Sequence, residues 1–477
     1  MIWPLIWIVS LAFLSVGARN FEEGMSIDGP LYAAISREIA RSGEWFRLDA
    51  RVPDFIPYNE HPHLAFWAQA LIFKFLPAAD WSARILGHLC YVAFLFLFFK
   101  RIKNLLSENA ATFAVLFLWI WAPFSNFFST FYLDPLALLL GALSIDFFWR
   151  GLQTQKLGAA TLSGVFLSLV FVTKGLTALA FLLMMGILFL TWIFSKSLSE
   201  KTTPSTVRSR LIMASTLSIV GLFFAVLILA LYFWAIRSSA DPVFLETYWN
   251  RQMTSRFSNS WNWMGLIGAN FWKGLLKDTY YLIVLVPIFF MRSRSKKDYF
   301  FPVVFFTSFA LMYAPAARVG AQYSLMLLPP IAWALGVGTC ETFSAKIQAA
   351  SWQKWTLRLA VALVLLIQYL PFKTHHRPIP HLVPAIKEFF TKNPDLPREL
   401  LLYSDSQLDF VTSAPFAWYG DLKIFYKESL GVENVRLMLD WDMLNGKDHV
   451  LALRSVAGRE FCPIPETANK ELFQICK

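Results

Sequence analysis

FYLDPLALLLGALSIDFFW (131–149) is a run of mainly apolar residues that contains Asp134 and Pro135 near its start and is followed by Arg150. About 20 apolar residues cross the hydrocarbon core of a bilayer as an α-helix. Proline fits the first turn of a helix, where an N–H would have no partner in any case. The stretch therefore predicts a membrane-spanning helix with a carboxylate in its first turn.

The composition of the whole chain extends this prediction. Apolar residues make up 56% of the 477 residues, aromatic residues 17% and charged residues only 16%. This is more apolar surface than a soluble domain can bury. We predict an all-α polytopic membrane body with about 11 transmembrane helices. The predicted spans are residues 2–18, 83–99, 110–124, 130–149, 157–173, 175–194, 211–236, 279–291, 299–315, 321–340 and 355–371.

Lysine and arginine residues in the short loops predict the orientation of these helices. If the N-terminus is cytoplasmic, the basic residues concentrate in the inner loops, at Lys100, Arg101, Lys103, Arg150, Lys156, Lys196, Lys201, Arg208, Arg210, Arg292, Arg294, Lys296, Lys297, Lys346 and Lys354. The short outer loops contain almost none. The net charge of +11 is then mostly a topology signal, and no basic stretch interleaved with aromatics indicates nucleic-acid binding.

This orientation places loops 19–82 and 237–278 and the C-terminal segment on the outer face. We predict a transmembrane domain over residues 1–371 and a small extracytoplasmic α/β domain over 372–477. Within the second domain ELLLYSDSQ, LKIFYKES and HVLALRS have the composition of strands, with a helix around 384–391. The first span could be a cleaved secretory signal, but its N-terminal end lacks positive charge, which favours a retained helix.

The four cysteines divide by location. Cys90 and Cys340 lie in apolar spans and are expected to be small buried side chains. Cys462 and Cys476 lie in the outer C-terminal segment, where they could form a disulfide or remain free thiols.

The first outer loop contains the strongest candidate for a catalytic group. Asp28 lies in SIDGPLYAAISREIARSGEWF (26–46), at the rim of the bilayer, where an ionisable residue usually has a function. The apolar residues after it recur at spacings of three or four, as in an amphipathic helix that lies flat on the membrane surface. PYNEHPHLAFWAQALIFKFLP (57–77) predicts a second interfacial helix. The apolar stripe of the first helix is Tyr32, Ile35, Ile39, Trp45 and Phe46, and its polar residues are Ser36, Arg37, Glu38 and Arg41.

Several stretches over roughly residues 1–340 resemble the outer-loop and helix-end motifs of GT-C glycosyltransferases. The pattern is similar to the protein O-mannosyltransferases and to the aminoarabinose transferases that act on lipid A, which form a glycosyltransferase 39-like family. The stretches are, in chain order, DGPLYAAISREIARSGEW, EHPHLAFWAQALIFKF, SARILG, FYLDPLAL, FVTKGLTAL, RQMTSRF and AARVGAQYSLMLLPP.

The resemblance implies an enzyme that transfers a hexose or pentose from a polyprenyl-phosphate carrier to a lipid, glycan or protein acceptor. It also implies a location in the bacterial inner membrane, with the active site on the periplasmic face, and we expect a monomer. By match to the first acidic motif of the family, Asp28 is the expected general base, and Asp134 is expected to position the acceptor or the base. A single displacement of this kind inverts the anomeric carbon.

The leaving lipid phosphate needs fixed cations close to the bilayer surface. The candidates at the outer helix ends or in the outer loops are Arg84, Lys174, Arg256 and Arg318, and Tyr323 is expected to add a hydrogen bond to the donor. Structural alternatives remain open for these residues. Basic side chains near helix ends often extend to the lipid headgroups, and an aspartate before a proline often caps a helix.

Glu60, His61 and His63 are candidate metal ligands because carboxylate and imidazole groups suit zinc, and Glu60 and His61 are also candidate substrate-binding residues. The sequence departs from the related families here. The aminoarabinose transferases have lysine at the position of His61, and Gln252 or Met253 replaces a later histidine. If His61 takes the role of that lysine, phosphate binding will be strongest at low pH, because histidine is charged only below about 6.5. Gly29 replaces the second acidic residue of many mannosyltransferases.

Two other classes of protein remain as alternatives. A secondary transporter is also polytopic, but it usually has internal repeats and polar residues near the bilayer midplane. In this chain the ionisable residues cluster at the predicted helix ends, with Asp146 towards the inner end of its span. A non-catalytic envelope scaffold that displays the C-terminal domain would not require Asp28, Glu60 and Asp134 to share one face.

Overall fold

The computed structural model describes residues 2–15, 28–49, 59–199, 204–239, 243–250, 269–293, 295–313, 326–343, 351–359, 391, 399–403, 434–438, 450–452, 461–463 and 473–475. Its helices are α1 (Ile2–Ser15), α2 (Gly29–Ser42), α3 (Leu64–Phe75), α4 (Asp80–Leu105), α5 (Glu108–Ile120), α6 (Ala122–Phe128), α7 (Asp134–Thr154), α8 (Leu157–Lys174), α9 (Thr177–Ser199), α10 (Pro204–Ser238), α11 (Val243–Tyr248), α12 (Ala269–Asp278), α13 (Leu285–Arg292), α14 (Phe300–Tyr313), α15 (Leu328–Phe343) and α16 (351–359).

Every predicted span overlaps one of these helices, so the predicted helical membrane body is confirmed. Within the described residues, four helices are long and apolar enough to cross a membrane, at Asp80–Leu105, Asp134–Thr154, Leu157–Lys174 and Arg208–Ser238. Shorter apolar helices accompany them, at Trp3–Ser15, Leu64–Phe75, Glu108–Ile120, Thr177–Ile193 and Leu282–Arg292. Trp121 interrupts the predicted span 110–124, where α5 ends and α6 begins with Pro123 in its first turn.

Close contacts between small residues hold the spanning helices together. Ser144 on α7 and Ser163 on α8 each donate a hydrogen bond to the other's carbonyl oxygen, at 2.7 and 2.9 Å. A methyl group added to Gly164 on α8 would overlap the backbone of Gly221 on α10. Small residues allow helix backbones to approach closely in a membrane, where van der Waals contact replaces the hydrophobic effect as the main attraction between helices.

A buried cluster of charges lies towards the end of the bundle that is predicted to face the cytoplasm, which is called the inner end below. Asp146 on α7 accepts hydrogen bonds from Arg101 on α4 at 3.2 Å and from Arg150 one turn later at 2.6 Å. The Arg101 guanidinium also lies over the rings of Trp149 and Phe301, at 6.0 and 5.3 Å from the ring centroids. Asp146, which the sequence placed towards the inner end of its span, is therefore part of an ion-pair cluster that joins two helices.

The first outer loop forms two helices, as predicted, but the polar face of α2 is not a solvent face. Tyr32, Ile35 and Ile39 are buried as expected, and so are Ser36 and Arg37. The Ser36 hydroxyl donates to the Tyr32 carbonyl at 2.9 Å, and Arg37 pairs with Glu38 at 3.2 Å. Because α2 packs against α3, two of the residues assigned to its polar side are covered by protein, which the amphipathic pattern did not indicate.

The C-terminal segment contains short strands. Strand β1 (Glu399–Tyr403) lies between β2 (Asn434–Met438) and β3 (Val450–Ala452) in a parallel sheet, and β4 (Phe461–Pro463) pairs antiparallel with β5 (Phe473–Ile475). The strands predicted in ELLLYSDSQ and HVLALRS are thus present, and β2 was not predicted. LKIFYKES, nearly all of the predicted helix 384–391, the Cys462 side chain and Cys476 lie outside the described residues. The division into two domains stays a prediction.

Candidate active site

Asp28 occupies the N-cap position of α2, and its side chain is half-buried. Its backbone already has helical dihedral angles, and the carboxylate makes no capping hydrogen bond to the helix. The carboxylate instead accepts a hydrogen bond from the Tyr32 hydroxyl at 3.4 Å. The positive end of the α2 dipole favours a negative charge at this position. Asp28 is thus placed at a helix end without being used to cap it.

Tyr32 connects Asp28 to the rest of the outer end. Its ring makes edge-to-face contacts with His61 at 6.2 Å, with Phe66 on α3 at 5.4 Å and with Phe131 at 6.1 Å. Phe131 lies three residues before Asp134. The ring of Tyr32 therefore joins the general-base candidate, the loop that contains His61, and the segment that leads into α7.

Asp134 and Lys174 form a buried ion pair at the same end of the bundle. Asp134 begins α7 and Lys174 ends α8, and their side chains are 5% and 8% exposed. Leu133, not Asp134, occupies the N-cap position of α7, so the capping alternative for Asp134 is wrong. Because the Lys174 side chain is buried, it does not extend to the lipid headgroups, so that alternative is also wrong. The structure brings together two predicted site residues that lie 40 positions apart.

Arg84 is buried in the first part of α4, with 3% of its surface exposed. One turn later, a methyl group on Gly87 would come within 2.5 Å of the Phe128 carbonyl oxygen and 3.2 Å of the Thr130 carbonyl oxygen. Glycine at this position therefore lets α4 approach the segment that precedes α7. Arg84 therefore lies at the same end of the bundle as the segment before Asp134, and its side chain is buried. Its location on the outer face of the membrane stays a prediction.

His63 has a structural environment. Its Nε2–H donates to the Phe46 carbonyl oxygen at 3.3 Å, and its Nδ1 accepts from the Tyr232 hydroxyl at 2.8 Å. Burial among aromatic rings lowers the pKa of His63 from 6.5 to about 4, because desolvation disfavours the charged imidazolium. Both ring nitrogens are therefore engaged by protein groups in a neutral side chain.

The metal hypothesis gains no support from the described part of the chain, in which no group of three or more His, Cys, Asp or Glu side chains is arranged to hold an ion. Glu60 and His61 are half-buried in the loop that precedes α3. Three predicted site residues lie outside the described residues, namely Arg256, Arg318 and Tyr323.

Tyr32 is the site residue that sequence reasoning did not identify. It was predicted only as part of the apolar stripe of α2. Its spacing of four residues from Asp28 was the available signal, since residues four apart are neighbours on a helix surface.

Comparison with known proteins shows that part of the chain is similar to a family. Residues 60–228 match the sequence model of the dolichyl-phosphate-mannose-protein mannosyltransferase family. No curated protein sequence matches the chain. Two solved structures of ArnT from Cupriavidus metallidurans have a similar fold. The structure bound to undecaprenyl phosphate has a TM-score of 0.57 and 14% identity, over 90% of this chain and 77% of that one. The apo structure has a TM-score of 0.55 and 14% identity, over 90% of this chain and 76% of that one.

The matched region begins at the loop of Glu60 and His61 and includes Arg84, Asp134 and Lys174. The family match therefore includes these candidate site residues, while the fold shared with ArnT extends over 90% of the chain. The predicted resemblance is therefore confirmed for residues 60–228 by the family match, and the two ArnT structures show that the chain shares their fold.

Proposed function

We propose that this enzyme transfers a sugar from a polyprenyl-phosphate carrier to an acceptor on the extracytoplasmic side of the membrane, with Asp28 as the general base. The observation that carries the proposal is that Asp28, through Tyr32 and Phe131, lies at the same end of the bundle as the buried Asp134–Lys174 pair. A base and a fixed cation are the two groups that this displacement requires. The lipid phosphate bound by the similar ArnT structure supports a donor of this chemistry.

In the proposed reaction, an acceptor hydroxyl or amine attacks the anomeric carbon while Asp28 takes its proton. The new bond forms between the acceptor atom and the anomeric carbon. The bond between that carbon and the phosphate oxygen breaks, and its electron pair leaves with the polyprenyl phosphate. One displacement inverts the configuration of the sugar.

Lys174 is the proposed seat for the donor phosphate. An ammonium group has three N–H donors, so it can bind a phosphate oxygen while Asp134 holds it in place. The negative charge on this oxygen grows as the bond to the sugar breaks, and a fixed cation stabilises that charge in the transition state. Arg84 lies at the same end of the bundle and is the second candidate for this role.

The orientation and the cellular location extend this proposal. The outer end of the bundle holds Asp28, Asp134 and Lys174, while the predicted inner loops hold most of the short-loop lysines and arginines. We place the outer end on the periplasmic side of a bacterial inner membrane.

The test uses purified enzyme in detergent or nanodiscs with a polyprenyl-phosphate sugar donor and an envelope extract as the acceptor source. We expect Asp28→Asn to lower the turnover by at least about 100-fold, the usual scale for removal of a general base. Glu44→Gln is the matched control because Glu44 is an exposed carboxylate of the same outer loop. Equal turnover in Asp28→Asn and wild type would overturn the role of Asp28, and retention of the anomeric configuration would exclude the single displacement.

A further inference from the structure

Tyr248, the last residue of α11, reaches the active-site end from the second outer loop. The residue is buried, and its hydroxyl occupies the space in which any residue other than glycine at position 175 would have its Cβ atom. Gly175 directly follows Lys174. The tyrosine therefore packs against the turn that carries the proposed phosphate-binding lysine.

The turn itself depends on glycine. Gly175 has φ +52° and ψ −110°, a conformation that residues with a side chain rarely adopt. Its N–H donates to the Phe171 carbonyl oxygen at 2.7 Å, and its own carbonyl accepts from Ala178 N–H at 3.0 Å. Because only Gly175 and Leu176 separate α8 from α9, this local geometry determines the path of the backbone directly after Lys174.

Aromatic contacts fix the position of Tyr248. Its ring centroid lies 6.5 Å from that of Phe171, the residue whose carbonyl oxygen accepts the hydrogen bond from Gly175. The ring of Tyr248 also stacks on Phe244, with ring centroids 5.7 Å apart and an interplanar angle of 6°. Phe244 in turn lies 4.6 Å from the ring of His63 in the first outer loop. Both outer loops therefore meet at the turn after Lys174.

We propose that Tyr248 is a positioning residue for the donor phosphate, which acts by holding the Gly175 turn so that Lys174 stays directed at Asp134. This inference rests on the proposed role of Lys174. Lysine has a long flexible side chain, and the ordering of such a chain depends on the elements around it. A shift of about 1 Å in a charge that binds substrate is enough to reduce catalysis about 100-fold.

Kinetic constants for the two substrates separate a positioning role from a structural one. A structural defect lowers the fraction of active enzyme, which reduces the apparent kcat and leaves both KM values unchanged. A misdirected Lys174 weakens the binding of the donor phosphate and leaves the acceptor site intact. We expect Tyr248→Phe to raise the KM for the polyprenyl-phosphate sugar about tenfold, because loss of the hydroxyl that packs on Gly175 lets the turn shift. The KM for the acceptor should not change. Tyr281→Phe is the matched control because Tyr281 is 66% exposed.

A double-mutant cycle tests the contact itself. Gly175→Ala should lower the thermal midpoint because the added methyl overlaps the Tyr248 hydroxyl. In the Tyr248→Phe background the overlapping oxygen is gone and ring carbon Cζ remains at 3.2 Å. The double variant should therefore be more stable than the sum of the two single changes predicts, whereas additive effects would contradict the contact.

Binding of polyprenyl phosphate, measured as a thermal shift, distinguishes the failure of this inference from the failure of the proposed function. If wild type and Tyr248→Phe bind the lipid equally and have the same donor KM, the inference is overturned and the proposed function stands. If wild type neither turns over the donor nor binds polyprenyl phosphate, the proposed function is overturned together with the positioning role. Weaker lipid binding by Tyr248→Phe than by Tyr281→Phe supports the inference even without an acceptor.

Discussion

Helix α7 contains two buried aspartates with different surroundings, one at its first residue and one about two turns before its last. Asp134 and Asp146 are 4% and 5% exposed, and the helix rise of about 1.5 Å per residue separates them by about 18 Å. At the inner end, two guanidinium groups contact the Asp146 carboxylate. At the outer end, Asp134 pairs with Lys174, beside the segment that Tyr32 connects to Asp28.

This difference shows that a buried ion pair does not by itself identify an active site. The Asp146 cluster joins α4 to α7 and is covered by the rings of Trp149 and Phe301. The Asp134 pair lies where two outer loops converge, and Tyr32 and Phe131 connect it to Asp28, a carboxylate that does not cap its helix. We infer that the inner pair stabilises the bundle and that the outer pair binds substrate. Four predictions test this contrast, from the largest expected effect to the smallest.

Replacement of Asp134 should affect both activity and stability. Asp134→Asn leaves the Lys174 ammonium buried without its counter-charge, and breaking a buried pair costs about 3 kcal/mol or more. A misplaced Lys174 should also lower turnover at least about 100-fold. Thermal unfolding and the transfer assay, run on the same preparation, measure the two effects. Normal turnover per folded molecule would contradict the functional role of the outer pair.

Replacement of Asp146 should affect stability alone. Asp146→Asn removes the counter-charge of Arg101 and should cost about 3 kcal/mol, although the cost is reduced because Arg150 is 43% exposed and is hydrated in part. Turnover per folded molecule should match wild type, because the outer end is unchanged. The measurement is the thermal midpoint together with activity normalised to folded protein. A 100-fold loss of normalised activity would remove the contrast between the two ends.

His63 should make the outer end sensitive to acid. Its folded pKa of about 4 lies below the ordinary 6.5, so the folded state favours the neutral ring. The stability that depends on this neutral ring is complete above pH 6.5 and decreases as the pH falls towards 4. At pH 5 the expected loss is about 2 kcal/mol. Thermal unfolding from pH 7 to pH 4 should show a shallower decline for His63→Gln than for wild type, and parallel curves would contradict this assignment.

The partly exposed pair Lys103–Glu108 should have the smallest effect. Lys103 pairs with Glu108 at the α4–α5 connection, and their side chains are 38% and 35% exposed. Solvent-exposed pairs contribute up to about 1 kcal/mol. Lys103→Gln should therefore change the thermal midpoint little and leave the turnover at the wild-type value. If Lys103→Gln lowered the thermal midpoint as much as Asp146→Asn, burial would not explain the difference between the Lys103–Glu108 pair and the Asp146 cluster.

Much of the fold could be predicted from patterns along the chain. Apolar runs located the spanning helices, and Asp134 was placed in the first turn of its helix because proline follows it. Helix ends were less predictable. The predicted span 130–149 begins four residues early, since residues 130–133 are apolar or hydroxyl-bearing but not helical. The burial of Ser36 and Arg37 was missed because an amphipathic pattern shows which residues are polar, and not whether a second element covers them.

The candidate site was predicted in part. Asp28, Asp134, Arg84 and Lys174 were singled out by residue type, by position at helix ends and by family resemblance, and the structure places all four at one end of the bundle. The pairing of Asp134 with Lys174 was not predicted, because the two residues meet only through the antiparallel arrangement of α7 and α8. His63 was predicted as a metal ligand, but the structure gives it a structural environment. Its hydrogen bond to Tyr232 on α10 joins residues that lie 169 positions apart in the sequence.

The sequence by itself determined the membrane class, the approximate positions of the spans and the chemistry available at their ends. These properties follow from the length of apolar runs and from the placement of single charged residues, which are local features of the chain. Only the tertiary structure decided which charges meet, that Tyr32 connects Asp28 to the segment before α7, and that Tyr248 packs on Gly175. These contacts depend on how distant helices pack, because side chains far apart in sequence interact only after the helices are in place.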